Sequence, residues 1–357
     1  MKYVNENQKF IMKIAALVIV FLLKCHQARA NGPFDLCFYH LSSGEEFIQC
    51  GELKAYRNEK PNNNLQEIEK IHIGWNTTMP ELRFGLFSSF TRLKVLHLSN
   101  SHIQRLDKRA FYNMEQLTEL SLFNNEIIEV DSSVFKYLTS LRVLDLGTNK
   151  ITGLLDFIFH NLLDLEELVL SWNMISTVTM DLFYGLNNLR KLNLAGNSLK
   201  SLPENAFACL TNLIGLDLSY NDLAELPVGL FNNQSEMQML NLESNQLQCL
   251  RQGLFRNTVE LLYLDISNNF ITRVNGSLLN NTVVEMLKFE RNLVTEIDVA
   301  ELLKQAQFLE ELYFDHNPWK CHALRNAIQY LNESEIYFEP GVYFAHQNIN
   351  GILCDKI

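Results

Sequence analysis

Cysteine, histidine and recurrent acidic residues are the side chains in this sequence that could do chemistry. Cys25 lies among the first 30 residues, and six cysteines follow it: Cys37, Cys50, Cys209, Cys249, Cys321 and Cys354. Four of these six cluster near the two ends of the chain, which favours disulfides if the protein is exported. Zinc binding is the alternative, but the wide spacing within each pair disfavours it.

Motifs for catalysis are absent from the sequence. It contains no G-x-S-x-G nucleophile elbow, no H-E-x-x-H metal motif and no phosphate-binding loop. His72 and His97 are expected on neighbouring strands, where a pH switch or a metal site is conceivable. Two histidines do not form a full ligand set, so solvated surface residues are the favoured interpretation. We predict no enzymatic activity, no metal and no cofactor.

Aromatic and acidic residues recur together in the middle of the chain and could bind a partner. Exposed aromatic rings bury area and neighbouring carboxylates supply directional bonds, as in interface hot spots. The aromatic residues carry more information than the acids, because exposed large apolar groups are uncommon. The predicted ligand-binding patch consists of Trp172, Asp217, Tyr220, Glu243, Tyr263 and Asp265.

A repeat of about 24 residues must position these side chains. Its frame is L-x-x-L-x-L-x-x-N-x-L, as in the segment from Leu141 to Ile151. Leucines that alternate with polar residues predict one short strand per copy with one buried face. One copy cannot bury its apolar face alone, so the copies must stack. The frame starts at Ile68, Leu93, Leu117, Leu141, Leu165, Leu189, Leu213, Met237, Leu261, Val284 and Leu309.

Two further columns of the repeat have structural interpretations. An asparagine ends each strand segment, except that Ser101 replaces it once, and its amide is expected to satisfy buried backbone groups where the strand turns away. A phenylalanine recurs on the far side of each coil, and these rings are expected to stack into a spine. Leu279 and Leu302 replace the ring in two later copies. The ring column is Phe111, Phe135, Phe159, Phe183, Phe207, Phe231 and Phe255.

The first 30 residues have the organisation of a secretory signal. Lys9 and Lys13 accompany a short apolar run over residues 14–23, and Ala28 and Ala30 are the small residues that a signal peptidase requires. That run is too short to span a bilayer comfortably, which disfavours a membrane anchor. We therefore predict a secreted, extracellular protein with no membrane span.

Net charge excludes one class of partner. The whole chain has a formal net charge of −11, and loss of residues 1–30 leaves 25 basic and 40 acidic residues, a charge of −15. Sequence-independent nucleic-acid binding requires a basic surface, so no nucleic-acid partner is expected. A cationic protein surface, or less favourably a sugar, suits the acidic patch.

A stacked array exposes an apolar cross-section at each end, and soluble arrays need caps. We predict an N-terminal cap over residues 31–67, eleven repeats over 68–317 and a C-terminal cap over 318–357. The disulfides Cys37–Cys50 and Cys321–Cys354 would close the two caps, each contributing up to about 3 kcal/mol.

The repeat and its closing Asn317-Pro318-Trp319-Lys320-Cys321 resemble extracellular leucine-rich repeat proteins with cysteine-flanked caps, such as Toll-like ectodomains, Slit and small proteoglycans. The closest in style are the secreted leucine-rich immune proteins of insects, of the kind without a coiled coil. The resemblance covers about residues 34–357 and implies an α/β solenoid, a horseshoe with a concave parallel sheet. Each cap holds two cysteines where many relatives have four, and Ala323 stands at one of the missing positions.

Two cysteines and several asparagines remain outside this plan. Cys209 and Cys249 lie at different offsets of the repeat, so a bond between them is not expected. Each is predicted to be a buried free thiol, with a covalent dimer as the less favoured alternative. Asn76 occupies a strand-ending position and should be unavailable to glycosylation. Glycans are expected at Asn233, Asn275, Asn280 and Asn332.

Secretion and an open concave surface indicate recognition of a macromolecule. The first hypothesis is innate immunity, with a host complement-like protein or a microbial surface component as partner. The alternative is an adhesion or developmental signalling protein of the extracellular matrix or cell surface. Acidic Ser-Gly attachment sites would favour that alternative, and none is evident in the sequence.

Overall fold

The computed structural model describes residues 37–42, 45–50, 69–73, 79–341 and 348–355, and of the first two segments it describes the backbone. The chain divides into two compact units, Met1–Leu165 and Glu166–Ile357. Each unit is built from short strands that recur once per repeat. The predicted signal peptide lies outside the described residues.

The first unit begins with an antiparallel pair, β1 (Cys37–Ser42) and β2 (Glu45–Cys50). Parallel pairing then runs from β2 to β3, β5, β7 and β8, one strand per repeat. A separate two-stranded parallel sheet joins β4 to β6. The later strands are β3 (Lys70–Ile73), β4 (Glu81–Leu82), β5 (Val95–His97), β6 (Arg105–Leu106), β7 (Glu119–Ser121) and β8 (Val143–Asp145).

The second unit continues the pattern with seven parallel strands paired in sequence order. These strands are β9 (Glu167–Val169), β10 (Lys191–Asn193), β11 (Gly215–Asp217), β12 (Met239–Asn241), β13 (Tyr263–Asp265), β14 (Met286–Lys288) and β15 (Glu311–Tyr313). A 3-10 helix (Gly276–Leu279) and helix α1 (Val299–Gln305) occupy the far side of two late coils. Leucine at the centre of each strand is buried, which confirms the predicted alternation.

The strand-ending asparagines form the predicted ladder within each unit. The Nδ2 of Asn221 donates to the carbonyl oxygens of Leu194 and Leu218 at 2.9 and 3.1 Å, and its Oδ1 accepts from the backbone N–H of Leu199 at 3.0 Å. One buried amide therefore joins two successive coils through three backbone groups. The same pattern recurs at Asn125 and Asn269. These bonds set the register between coils.

The phenylalanine column packs as predicted. Phe111 and Phe135 stack with ring centroids 6.4 Å apart in the first unit. In the second unit, Phe207 lies 6.1 Å from Phe183 and 6.5 Å from Phe231. All the rings are buried, and Leu279 and Leu302 fill the same position completely buried. The column is hydrophobic core.

A mixed cap ends the second unit. Strand β16 (Trp319–Lys320) leads into helix α2 (Cys321–Glu333), and β16 pairs with β18 (Ile352–Asp355), which also pairs with β17 (Asn348–Ile349). Cys321 and Cys354 are joined by the predicted disulfide, with Cα atoms 4.9 Å apart. The ring of Trp319 is fully buried and covers Phe314 at a centroid distance of 5.7 Å. The cap thus seals the last coil of the unit.

The N-terminal cap keeps one prediction open. Cys37 and Cys50 are direct partners in the antiparallel register of β1 and β2. Their side chains are not among those described, so the disulfide between them stays a prediction. No helix in the described part of the chain is long and apolar enough to cross a membrane.

Candidate functional site

The acidic row on the solvent face of the second unit's sheet is largely used by the fold itself. Asp217 Oδ1 accepts from the backbone N–H of Ser219 at 2.9 Å and from its hydroxyl at 2.6 Å. Asn193 and Asn241 make the same bond to the residue two positions on. Such local bonds stabilise the turn that follows the strand. Asp217, Asn193 and Asn241 therefore have a structural role in these turns.

Asp265 is the clearest case, because only 6% of its surface is exposed. Its Oδ1 accepts from the backbone N–H of Ser267, and its Oδ2 accepts from the Tyr263 hydroxyl, both at 2.9 Å. Burial, followed by the charge of Asp265, raises the pKa of Tyr263. The ammonium of Lys288 lies 5.6 Å from the Tyr263 ring centre and 4.8 Å from that of Tyr313. This end of the predicted patch is a half-buried cluster with its own cation.

A column of residues with positive φ runs along the edge where the strands end. Each member directly precedes a ladder position, and several donate their backbone N–H to a carbonyl of the next coil, as Trp172 does to Ala195 at 2.7 Å and Tyr220 to Glu243 at 2.9 Å. The repeat geometry thus imposes the left-handed conformation whichever residue is present. We call this set the turn column: in the second unit it is Trp172, Gly196, Tyr220, Ser244, Asn268, Arg291 and His316.

Bulky members of the turn column are notable, because positive φ favours glycine and asparagine. Trp172 has φ of 55° and Tyr220 has φ of 53°. A left-handed residue with a Cβ costs about 1–2 kcal/mol relative to the right-handed form. Stability alone would select Gly or Asn, as at Gly196 and Asn268. Trp172 and Tyr220 are therefore not the residues that backbone stability would select at these positions.

Trp172 and Tyr220 meet across the intervening coil. Their ring centroids are 5.6 Å apart at 36°, and the two side chains are 55% and 47% exposed. Gly196 lies between them, and a Cβ there would approach the Trp172 ring to 2.6 Å. Glycine is thus required for the indole to lie flat across the turn. We call Trp172, Gly196 and Tyr220 the aromatic platform.

A carboxylate adjoins the aromatic platform. The Tyr220 hydroxyl donates to Glu243 Oε1 at 3.3 Å. Burial is the largest cause that raises the pKa of the Glu243 carboxyl, and the charges of Asp265 and Asp217 add to it. Burial and Asp265 also raise the pKa of Glu290. The face next to the platform therefore has concentrated negative charge that favours cations or protons.

The structure divides the predicted patch into two groups within the second unit. Trp172, Tyr220 and Glu243 form the exposed platform with its carboxylate, whereas Tyr263 and Asp265 form the half-buried cluster on the strand face. Asp217 interacts with both groups, because its charge contributes to raising the pKa of Glu243 and that of Tyr263. The binding role of all six residues remains a prediction.

Comparison with protein families decides the classification. A model of the leucine rich repeat matches residues 66–127, 124–175, 139–199, 163–223, 211–270 and 235–294, which together exceed half of the chain. The chain belongs to the leucine-rich repeat family. A comparison with curated proteins gave no match.

Solved structures similar to this leucine-rich repeat chain include receptors and a bacterial protein. A chain of the Drosophila Toll–Spatzle complex, described as a hub in development and innate immunity, is 26% identical with a TM-score of 0.67, over 78% of this chain and 38% of that chain. Internalin inlF of Listeria monocytogenes is 19% identical with a TM-score of 0.61, over 76% of this chain and 74% of that chain. A chain of the TLR13–ssRNA13 complex is 22% identical with a TM-score of 0.54, over 76% of this chain and 50% of that chain. This chain thus spans less than two-fifths of the matched Toll chain, and the likenesses below 25% identity show the fold alone.

His72 and His97 are adjacent in this leucine-rich repeat chain, as predicted. They are paired residues of β3 and β5, with ring centroids 4.3 Å apart. The Nε2 of His97 also lies 2.6 Å from Glu119 Oε1, so this histidine has a structural partner. Among the described residues, no group of three or more histidine, cysteine or acidic side chains could hold a metal ion.

One cysteine prediction is wrong. Cys209 and Cys249 are both free thiols, but Cys209 is half-buried and Cys249 is exposed. Cys249 occupies the repeat position of Glu225 and Ser201, which also face solvent. The repeat position, and not the preference of cysteine for burial, decides that Cys249 is exposed. A covalent dimer through either thiol stays an untested alternative.

The four asparagines predicted to carry glycans are exposed. Asn233 Nδ2 donates to the carbonyl oxygen of Ala208 at 2.9 Å, and Asn275 accepts from the backbone N–H of Ser277 at 3.1 Å. A glycan on Asn233 would attach to the nitrogen that makes this bond, whereas the Asn275 bond uses Oδ1 and does not involve its nitrogen. Within the described part of the chain, the side chains of Asn280 and Asn332 make no such hydrogen bond, and Asn76 lies outside that part. Glycosylation remains a prediction at all four sites.

The turn column itself was missed by sequence reasoning. Its signal was available, because Asn100, Asn124 and Asn268 directly precede ladder positions and asparagine favours positive φ. Arg291 and His316 belong to this column and were not among the predicted site residues. Only the backbone geometry shows that they share an edge with Trp172 and Tyr220.

Proposed function

We propose that this chain is a secreted recognition module of innate immunity that binds a cationic surface of a host or microbial macromolecule. The aromatic platform with Glu243 carries the proposal. Catalysis is not part of it, because the recurrent acids are engaged in turns and no catalytic motif is present. No nucleic-acid partner is proposed, because the chain is acidic.

The chemistry of the platform matches a lysine or arginine side chain. Trp172 and Tyr220 offer exposed ring faces, and cations bind over such faces with about 0.5–2 kcal/mol each. Glu243 lies at the edge of the Tyr220 ring and supplies an anion for the same charge. Its raised pKa means that a cationic partner also relieves its electrostatic cost. Aromatic anchors beside a desolvated carboxylate are typical of binding hot spots.

The biological setting is inferred from two supports. A predicted signal peptide and the Cys321–Cys354 disulfide agree with an oxidising, extracellular compartment. A chain of the Toll–Spatzle complex, a hub in Drosophila development and innate immunity, is similar at 26% identity. The role of that complex in development is equally compatible with an adhesion or developmental signalling protein, which is the second candidate. Induction of the transcript by bacterial challenge would separate the two.

Binding is tested with the purified secreted protein and a fluorescein-labelled peptide of alternating lysine and glycine, by anisotropy at low ionic strength. The double variant Trp172→Ala/Tyr220→Ala should weaken binding about tenfold. The control is Tyr330→Ala, which removes an exposed tyrosine of α2 elsewhere in the unit. Equal affinities for the wild type and the platform variant would refute the cation site.

Partner identity and export are tested separately. The tagged mature protein and the variant Trp172→Ala/Tyr220→Ala/Tyr263→Ala are compared by affinity purification from body fluid and mass spectrometry. Identical partners from both would show that the patch is misplaced.

The predicted signal peptide is tested by N-terminal sequencing of the secreted chain. The first residue should be Asn31, and a chain that still starts at Met1 or Met12 would contradict the prediction.

A further inference from the structure

A groove lies on the edge of the second unit, beyond the aromatic platform and outside every site predicted above. It is an open surface groove with a volume of about 730 Å³. One wall is the turn column from Ser244 through Asn268 and Arg291 to His316, and the other contains Phe270 and Leu293. The ladder asparagines form its floor, and their amides are already used between coils. Ligand contacts must therefore come from the two walls.

The two walls differ in chemistry. Phe270 is 51% exposed and Leu293 is 46% exposed, so one wall is an apolar surface in water. Arg291 stands opposite at the exposed edge, with φ of 52°. In the described part of this acidic chain, the Arg291 guanidinium has no carboxylate within ion-pair distance, whereas the neighbouring His316 is 3.2 Å from Asp315. Arg291 thus combines a strained backbone, a guanidinium that makes no ion pair with any described residue, and apolar groups opposite it. This combination suits a ligand that is both anionic and apolar.

We infer that this groove binds an extended peptide in which an acidic residue adjoins an apolar one. An extended strand rises about 3.3 Å per residue and points successive side chains to opposite sides. Four residues would cover three coils, since adjacent coils are about 4.8 Å apart. The carboxylate would pair with Arg291 in a bidentate geometry while its neighbour packs on Phe270 and Leu293. The site is separate from the aromatic platform and selects the opposite charge.

The probe is the blocked peptide acetyl-Ala-Glu-Phe-Ala-amide, with acetyl-Ala-Gln-Phe-Ala-amide as the neutral match, measured by ligand-observed NMR titration on the full chain. Arg291→Gln should weaken binding of the glutamate peptide by at least about tenfold and leave the glutamine peptide unchanged. Arg273→Gln is the charge-matched control, because Arg273 is exposed on the preceding coil and does not line the groove. Its affinity should equal that of the wild type.

The apolar wall is tested by Phe270→Ser, with Phe308→Ser as the control for loss of an exposed ring. Phe270→Ser should weaken both peptides about fivefold, because the apolar contact is common to them. The variant Trp172→Ala/Tyr220→Ala should bind the glutamate peptide as the wild type does. Equal binding of the two peptides to wild type, no binding of either, or an unchanged affinity in Arg291→Gln would each overturn the inference.

Discussion

The ladder and the turn column of the second unit are consecutive positions in the same repeat, yet they behave in opposite ways. Ladder residues are asparagine in every copy, buried and bonded to two coils. Turn-column residues vary from glycine to tryptophan, although the backbone at each is left-handed. The ladder position keeps the same residue in every coil of the unit, so it serves the fold. The turn column keeps the same backbone conformation but varies in residue type, so it is available for function, and its large side chains are the best candidates for binding.

The largest expected effect is in the core that supports both columns. Phe207→Ala should lower the free energy of unfolding by about 3–5 kcal/mol, because it opens a cavity between two stacked rings. Urea denaturation followed by circular dichroism measures this change. Tyr220→Ala, which truncates an exposed ring in the turn column, is the comparison and should cost less than about 1 kcal/mol. Similar losses for the two would remove the distinction between core and edge.

Asn221→Ala tests the ladder directly. The buried backbone N–H of Leu199 loses its partner, and the carbonyl oxygens of Leu194 and Leu218 each lose one of two amide donors, so a destabilisation of about 2–4 kcal/mol is expected. The same denaturation experiment applies, with Asn212→Ala as the control, since Asn212 makes a single exposed bond to the Asn187 carbonyl. A loss for Asn221→Ala no greater than that for the control would mean that water replaces the ladder amide.

Tyr220→Asn separates stability from binding at one turn-column position. Asparagine tolerates positive φ better than tyrosine, so the free energy of unfolding should stay within about 0.5 kcal/mol of wild type or rise. Affinity for the lysine–glycine peptide should nevertheless fall about fivefold, because a ring face is lost. A variant that binds normally would show that the turn column is structural like the ladder.

The smallest effect concerns pH. The pKa values of Glu243 and Glu290 are raised above 4.5, so their charged forms are disfavoured in the folded chain. Glu243→Gln/Glu290→Gln should therefore raise the melting temperature by a few degrees at pH 7. The gain should shrink as pH falls through the folded pKa values and vanish below 4.5, where both states are protonated. A gain independent of pH would show that charge is not its cause.

Lowering the pH should weaken binding of the lysine–glycine peptide, although it relieves the electrostatic cost of the two carboxylates in the folded chain. As the pH falls from 7 into the range where carboxyls titrate, Glu243 takes up a proton before ordinary carboxyls do, because its pKa is raised, and the affinity should decrease. Glu243→Gln should bind weakly across this pH range, with Glu236→Gln, a change at an exposed acid elsewhere in the unit, as control. Wild-type affinity that does not change over this range would contradict the role of Glu243.

The sequence by itself determined the repeat, the buried leucines, the asparagine ladder and the phenylalanine core, because each follows from a local period and the need to bury one face. It also predicted the Cys321–Cys354 bond, because a stacked array needs a cap and these cysteines follow the last repeat. It also placed Trp172 and Tyr220 among the candidates, because exposed aromatics are conspicuous against that period. Only the tertiary structure decided that Asp265 is buried, that Cys249 is exposed, and that Gly196 lets Trp172 reach towards Tyr220. These outcomes depend on how successive coils approach one another, and residues about 24 positions apart become neighbours only when the coils stack.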